Sequence, residues 1–418
     1  MISLIEALNY RCLRYVRRPL KPFHVLVGPN ASGKTTFLDV AGFLHDLVAE
    51  GLDHAIQSRA ANFSDLLWRH EGRGFQLAIE AGIPEAPRDL LEDKSFDTVR
   101  YEVSLRFQEA SNEVQIVAEQ GVLRVGTPAD SAPRLLFPQS QVPRRSIVTP
   151  HASQNARRLF SKMHGGNDNY YAEAHSRQGR WRPAFKLGPR KSTLANLPED
   201  EVNFPVSTWL KQFISEGVEK IVLNSLEMRK KSPPGQGTGF QADGSNLPWV
   251  VDDLQSKDPN RVQEWVRHVR TALPDLQAIR TVLREDDRHR YLKLVYEDGL
   301  EVPSWMASDG TLRLLALTLP AYLRQLKGVY LIEEPENGIH PRAVETMYQS
   351  LSSVYDAQVL MATHSPVILS VAKPADVLCF AKTDDGATDI VSGDEHPALA
   401  DWRGEVNLGT LFASGVLG

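Results

Sequence analysis

The chain of 418 residues has only two cysteines, Cys12 and Cys379, far apart in sequence. Two such residues build neither a disulfide framework nor a zinc cluster, and they suit a reducing cytosol. No run of 18 apolar residues exists; even 311-TLRLLALTLPAYL-323 carries Arg313. A membrane-spanning helix is therefore not expected. The first 20 residues lack the apolar centre and cleavage site of a secretory signal. No sustained heptad pattern predicts a coiled-coil arm, and no fixed-period repeat is present. Excess positive charge is also missing. The net charge of −5 gives no global pull toward nucleic acid or membrane, so any such contact must be local. What remains is ordinary globular composition, 42% hydrophobic and 24% charged. The length suits two or three domains, or one large domain with insertions.

Short apolar runs near Leu4–Leu8 and at 24-HVLV-27 predict strands. Phe37, Ala41, Leu44 and Val48 share one helical face, which predicts a helix from about Gly33 to Glu50. The runs 75-FQLAIEA-81, 100-RYEVSLRF-107, 113-EVQIVA-118 and 121-GVLRV-125 predict four antiparallel strands. Residues 127–205 are rich in Pro, Ser, Arg and Gly and show little periodicity, and 232-SPPGQGTGF-240 reads as a loop. A helix is expected over 206–218 and a strand over 219–225. Helices near 248–255 and 260–272 and strands near 278–283 and 290–296 follow. From about residue 308, helices alternate with the apolar runs 328-GVYLI-332, 358-QVLMAT-363 and 376-DVLCFA-381. Such alternation predicts a parallel sheet covered on both faces. Pro320 should bend or shorten the helix that carries Leu312, Leu315 and Leu319.

Between the second strand and its helix lies 28-GPNASGKTT-36. Gly28, four residues, then Gly33-Lys34-Thr35 fit the phosphate-loop pattern, in the strand–loop–helix context it requires. Glycines let successive N–H groups turn inward toward phosphate oxygens, and the helix N-terminus adds its positive dipole end. Lys34 supplies a point charge, and the Thr35 hydroxyl can ligate Mg²⁺. The plainer reading is a Gly-rich turn without a ligand.

A second stretch, 329-VYLIEEPENGIHP-341, runs apolar residues into Glu333 and Glu334. At the C-terminal end of a buried parallel strand, these acids stand where open α/β sheets bind ligands. The first would hold the metal; the second would orient or deprotonate an attacking water. The plainer alternative is a pair of strand-capping acids. Ser308, Asp309 and Gly310 open a helix about two dozen residues earlier, which makes either a second phosphate-binding end or an ordinary cap. His364 follows the next strand in 360-LMATHS-365, at the position of a γ-phosphate sensor or of a structural histidine.

In this order and spacing, the motifs resemble the ABC-type ATPase head. More closely, the chain resembles the RecF/SMC-like predicted ATPases of the AAA-21 or OLD-like kind. The resemblance rests on 9-NYRCLR-14, 25-VLVGPNASGKTTFLD-39, 242-ADGSNLPWVV-251, 308-SDGTLRLLAL-317, 330-YLIEEPENGIHP-341, 362-ATHSP-366 and 407-NLGTLFASGVLG-418. It implies an α/β P-loop NTPase with a mixed sheet, an antiparallel β subdomain and an inserted α/β lobe. Residues 1–54 and 300–418 would form the head, 55–126 the β subdomain and 127–299 the lobe. It implies ATP and Mg²⁺, with Gly28, Pro29, Asn30, Ala31, Ser32, Gly33, Lys34, Thr35 and Thr36 as Walker A. Glu333, with Thr35, would hold the metal, Glu334 would be catalytic, and His364 would be the switch histidine. Ser308, Asp309 and Gly310 would meet the nucleotide of an opposite protomer, and Asn337 and Gly338 would cross that interface. Arg11 would approach the nucleotide. A cytoplasmic homodimer, or a higher oligomer, is expected.

The chain departs from the family pattern at several points. Ala31 replaces the usual glycine, a methyl that a negative φ would tolerate. Glu333 stands where most P-loop ATPases carry Asp. No glutamine stands out as the Q-loop residue; Gln76, Gln139 and Gln141 are candidates and no more. After His364 too little chain remains for a TOPRIM nuclease domain, and Asp384-Asp385-Gly386 reads as a hairpin turn. Residues 144–191 form a local basic segment: Arg144, Arg145, Arg157, Arg158, Lys162, Arg177, Arg180, Arg182, Lys186, Arg190 and Lys191 stand against Asp168 and Glu173. Tyr170, Tyr171, Trp181 and Phe185 are interleaved. Cations among aromatics suit DNA or RNA, although a solvated insertion or a docking site for a partner protein has the same composition. His151 and His164 lack the companions a zinc nuclease site needs. Two functions follow. One is an ATPase acting on DNA in repair or phage defence, with a nuclease or other effector on a separate chain. The other is a nucleotide-gated scaffold that holds or restrains an effector with little turnover.

Overall fold

The computed structural model describes residues 1–126, 134–150, 156–174, 183–324, 326–399, 407–415 and 417. Its strands are β1 Ile2–Tyr10, β2 Leu13–Pro19, β3 Phe23–Val27, β4 Gly74–Gly82, β5 Thr98–Gln108, β6 Glu113–Arg124, β7 Arg157–Met163, β8 Asp168–Tyr170, β9 Ala184–Phe185, β10 Val218–Ile221, β11 Leu276–Leu283, β12 Arg290–Tyr296, β13 Glu301–Pro303, β14 Gly328–Glu333, β15 Ala357–Ala362, β16 Val377–Lys382 and β17 Thr388–Ser392. Its helices are α1 Lys34–Ala49, α2 Leu52–Gln57, α3 Glu85–Asp89, α4 Pro205–Glu216, α5 Ser225–Arg229, α6 Leu247–Lys257, α7 Pro259–Val269, α8 Asp309–Thr318, α9 Pro341–Ser352, α10 Pro366–Val371 and α11 Leu408–Ala413.

Among these residues there are three sheets. The central one has the order β10-β14-β15-β3-β16-β17, parallel except for the antiparallel β17. Its strands alternate between two cores, as a sheet buried on both faces must. Leu26, Val329, Leu331, Leu360 and Ala362 join one core with Phe37, Leu44 and Val48 of α1. Val25, Val27, Tyr330, Ile332, Val359 and Met361 join the other, with side chains of α6, α7, α8 and α9. The second sheet is antiparallel, β2-β1-β4-β5-β6-β7-β8-β9, and lies across α1 from the first. The third, β11-β12-β13, carries α6 and α7.

Helix α8 stops at Thr318, and a 3-10 turn takes over through Pro320, whose ring and missing N–H cannot continue it. Asp384–Gly386 forms the β16–β17 hairpin turn, with Gly386 at φ 83° and Thr383 N–H donating to the Ala387 carbonyl. Two expectations are corrected. The runs at 113–118 and 121–125 join in one strand, Glu113–Arg124, not two, because Gly121 lies under the Phe160 ring and the ladder crosses it through a register shift. Residues 13–19 and 157–163, charged and unassigned by pattern, are strands.

The eight-stranded sheet draws β1 and β2 from residues 1–54, β4 to β6 from 55–126 and β7 to β9 from 127–299, while β10 joins the parallel sheet. The β7–β9 part holds much of the basic segment. Lys162 is buried against Asp168 at 2.6 Å, and Arg157 pairs with Glu92 at 3.0 Å. Arg158 reaches Gln120 at 3.0 Å, and Arg190 meets Asp53. Tyr170 is buried, its hydroxyl donating to the Thr193 and Asn196 carbonyls. Glu173 caps α4 through the Val206 and Ser207 N–H groups, and burial pushes its carboxyl up to about 7. Arg145, Lys186 and Lys191 are exposed. Arg177, Arg180, Trp181, Arg182 and His151 lie outside the described residues.

Candidate nucleotide site

Strand β3 delivers the chain into the loop, and α1 begins directly after Gly33. Gly28 has φ 150°, and a Cβ there would lie 2.2 Å from the Phe380 carbonyl oxygen. Gly33 has φ 104°, with Thr388 Oγ1 at 2.3 Å from a built Cβ. Thr388 donates to the Ser32 carbonyl at 2.9 Å, so β17 holds the loop's rear. The loop is pressed against β16 and β17 with no room for a side chain at either glycine. Ala31 has φ 59°, so the expectation of a negative φ is corrected: the methyl sits in the left-handed region.

The Lys34 ammonium is 7% exposed and donates to the Gly28 and Pro29 carbonyls at 2.8 and 3.0 Å. Burial lowers its pKa to about 8, partly opposed by Glu334 and Glu333. Thr35 Oγ1 donates to Glu333 Oε2 at 2.7 Å. Glu333 ends β14, and Lys220 Nζ reaches its Oε1 at 2.6 Å. Glu334 is exposed, in the left-handed region at φ 46°, and accepts from Asn337 Nδ2 at 2.5 Å. His364 follows β15, and its backbone N–H donates to Glu336 Oε1 at 3.2 Å. Burial, then the Lys34 charge, lowers the imidazole pKa against the pull of Glu334 and Glu336, which leaves the ring neutral at pH 7.

These groups surround one cavity of about 640 Å³, lined by Asn30 to Thr36, Glu333, Glu334 and His364. Arg11 also lines it, tied to Asp39 at 3.6 Å. Gly28 and Pro29 meet it through the carbonyls that hold Lys34. Hard oxygen donors suit magnesium, and Thr35 and Glu333 supply two at the mouth of α1, so the residues fit that ion. Ser308, Asp309 and Gly310 do not line this cavity. Ser308 caps α8 by accepting from Thr311 N–H at 3.2 Å, and Asp309 pairs with Arg229 at 2.8 Å. A Cβ on Gly310 would lie 2.4 Å from the Gly338 carbonyl oxygen, so the Ser-Asp-Gly turn packs directly on the turn after Glu334.

The glutamine candidates are placed elsewhere. Gln76 accepts from Ile147 N–H at 2.8 Å, and Gln139 and Gln141 gather on Asp389. Strand β14 lies between β10 and β15, with Ile221 of β10 level with Ile332. Sequence reading also missed Leu67, Trp68, Arg69 and His70, which line the cavity from a turn after α2. No motif marks them. Their signal is backbone strain: Arg11, Ala31, Arg69, His70 and Glu334 all have positive φ and all line the cavity.

Residues 23–370 match the family model described as "AAA domain, putative AbiEii toxin, Type IV TA system". The chain belongs to this AAA-21 family. It is also 22% identical to an OLD nuclease of Thermus scotoductus (strain ATCC 700910 / SA-01), over 99% of this chain and 68% of that protein. Among solved structures, an Smc head bound to the C-winged helix domain of ScpA superposes with a TM-score of 0.51. That match has 14% identity and covers 94% of this chain and 97% of that one. A second Smc head with an extended coiled coil, from Pyrococcus furiosus, gives 0.49 at 12% identity, over 94% and 96% of the two chains. The AAA-21 chain therefore has the α/β fold of an ABC-type P-loop ATPase head with mixed sheets. Among the described residues, no helix is long and apolar enough to cross a membrane.

Proposed function

We propose that this protein binds and hydrolyses ATP between two copies of itself. The observation that carries the reading is the convergence of Lys34, Thr35, Glu333, Glu334 and His364 on one cavity. Lys34 would exchange two carbonyl partners for phosphate oxygens, and the loop N–H groups would cradle the rest. Thr35 and Glu333 would hold Mg²⁺, which supplies charge neutralisation on the phosphates when bound. Glu334 would take the proton of the attacking water, while neutral His364 would hydrogen-bond the γ-phosphate. Trp68, half-buried at the cavity wall with the Arg69 guanidinium over its ring, would pack against the base.

Ser308 stands outside its own chain's cavity, which suits action on a partner's nucleotide. Beside it, Val222, Leu226, Trp305 and Met306 are exposed, where α5 packs against the turn 304–306. Exposed apolar groups of this kind favour an interface. Among the described residues of the basic segment, Arg144, Arg145, Lys186 and Lys191 are the exposed cations that would touch a nucleic acid. The likeness to an OLD nuclease supports a link to nuclease work; the reading places that work on DNA in repair or phage defence, in the cytoplasm, with the effector on a separate chain.

The decisive experiment measures mass in solution with and without ATP, together with turnover, for the native chain and Glu334→Gln. An assembly that forms with ATP, persists in Glu334→Gln and decays in the native chain is expected. Turnover should fall on the order of 10²-fold in Glu334→Gln. Equal and negligible turnover in both would replace hydrolysis with the scaffold reading, which the engagement of both Glu333 oxygens favours.

A further inference from the structure

Both carboxylate oxygens of Glu333 are already taken. Oε2 accepts from the Thr35 hydroxyl at 2.7 Å and Oε1 from the Lys220 ammonium at 2.6 Å. Lys220 lies on β10, one strand over from β14 and level with Leu331. Its neighbours in register, Val218 and Val329, face the α1 core, so Lys220 and Glu333 emerge on the side where Thr35 opens α1. Thus a cation already stands on the oxygens that a divalent ion would need.

We infer that Lys220 is a built-in competitor for the magnesium of the nucleotide site. This rests on the ATP-binding reading above. An ammonium on a four-carbon stem can leave, because its charge is a mobile point rather than a fixed fork. It also has somewhere to go. A second cavity of about 580 Å³ shares Arg11, Thr35 and Glu333 with the nucleotide cavity and is lined further by Lys220, by Glu219 and by Asp46, which Arg59 already holds at 2.6 Å. Glu219 Oε2 is buried there with no hydrogen-bond partner among the described residues. Released from Glu333, Lys220 would turn toward the Glu219 carboxylate, the unpartnered acid of this cavity, and repulsion from a cation on Glu333 would keep it there.

The displaced residue is not isolated. Beyond β10, Asn224 caps α5 by accepting from Leu226 and Glu227 N–H groups. Arg229 of α5 donates to the Ala307 carbonyl at 3.0 Å and pairs with Asp309. Ser225 accepts from Arg313, which also reaches the Asn337 carbonyl, both at 3.3 Å. A single short segment therefore links the metal carboxylate to the Ser308 turn.

The test is equilibrium ATP binding to the full chain during a Mg²⁺ titration, in a Glu334→Gln background that stops turnover. Lys220→Met should lower the half-saturating Mg²⁺ concentration on the order of ten-fold, with ATP binding in EDTA unchanged. Lys220→Arg, which keeps the charge, should stay near the parent. Lys220 is 56% exposed, so each variant should fold. An unmoved midpoint in Lys220→Met overturns the inference, as does ATP binding indifferent to Mg²⁺ in both chains. Equal weakening with and without Mg²⁺ also overturns it, since Lys220 would then be a phosphate ligand. A parent that binds no ATP removes the proposed function as well, which separates the two failures.

Discussion

Arg100, on β5 of the antiparallel sheet, and Lys34, at the start of α1 beside the parallel sheet, are both cations with almost no exposed surface, at 2% and 7%. Arg100 sits on β5 among Glu6 at 2.6 Å, Glu80 at 3.1 Å and Glu102. Burial pulls its pKa down, but Glu102, Glu6 and Glu80 outweigh burial and raise it. Lys34 has only two carbonyls, and burial wins. The antiparallel sheet closes its charges on one another; the parallel sheet leaves a charge unspent at its strand ends. An unspent buried charge marks a ligand site, and a satisfied one marks structure.

The largest effect that sharpens this contrast is in stability. Arg100→Met would take the close cation from Glu6 and Glu102, while Glu80 keeps Arg124 at 3.1 Å, and should cost about 3–5 kcal/mol, read as a lowered urea midpoint. Lys34→Met, the matched change, should move stability by less than about 1 kcal/mol, because no acid within ion-pair distance loses a partner. Equal losses would break the distinction.

Next comes His24 on β3, which is 2% exposed. Nε2 accepts from Lys21 N–H and Nδ1 donates to the Asp376 carbonyl. Burial lowers its pKa from 6.5 to about 4. The folded value lies below the unfolded one, so the neutral ring contributes stability above pH 6.5. That contribution is lost as pH falls toward 4, by about 3 kcal/mol in full. His24→Gln should lack this slope; unfolding free energies of both chains across pH 7 to 4 measure the difference.

The contrast also explains what could be read from sequence. Lys34, Thr35, Glu333, Glu334 and His364 were legible because phosphate chemistry demands those residue types at strand ends in fixed order. Strands β2 and β7 were not, because a buried charge paired across a sheet looks, in one dimension, like a surface charge. Arg18, held by Glu395 and the Ile390 carbonyl, is one case, and Lys162 is another. Within the basic segment, Lys162, Arg157 and Arg190 are likewise paired with acids in the fold. Trp68 and Lys220 carry no local pattern; the turn after α2 and the neighbouring β10 bring them to the cavity. Ser308 was legible as a cap, yet its place outside its own cavity came only from the fold.

The smallest effect concerns the strained loop itself. Ala31 holds φ 59°, where a Cβ crowds the following carbonyl and costs about 1–2 kcal/mol. Ala31→Gly removes that strain but frees the unfolded chain, which offsets about 0.5–1 kcal/mol. The net gain should be at most about 1.5 kcal/mol, visible as a small rise in Tm. If the strain instead serves to preset the loop for phosphate, the freed loop must be ordered again on binding. ATP affinity should then fall a few-fold while stability rises, and calorimetric titration beside thermal unfolding reads both. A chain that gains stability and keeps its affinity would mean that the strain is incidental. The left-handed residues around the cavity would then mark where the fold tolerates strain, not where it uses it.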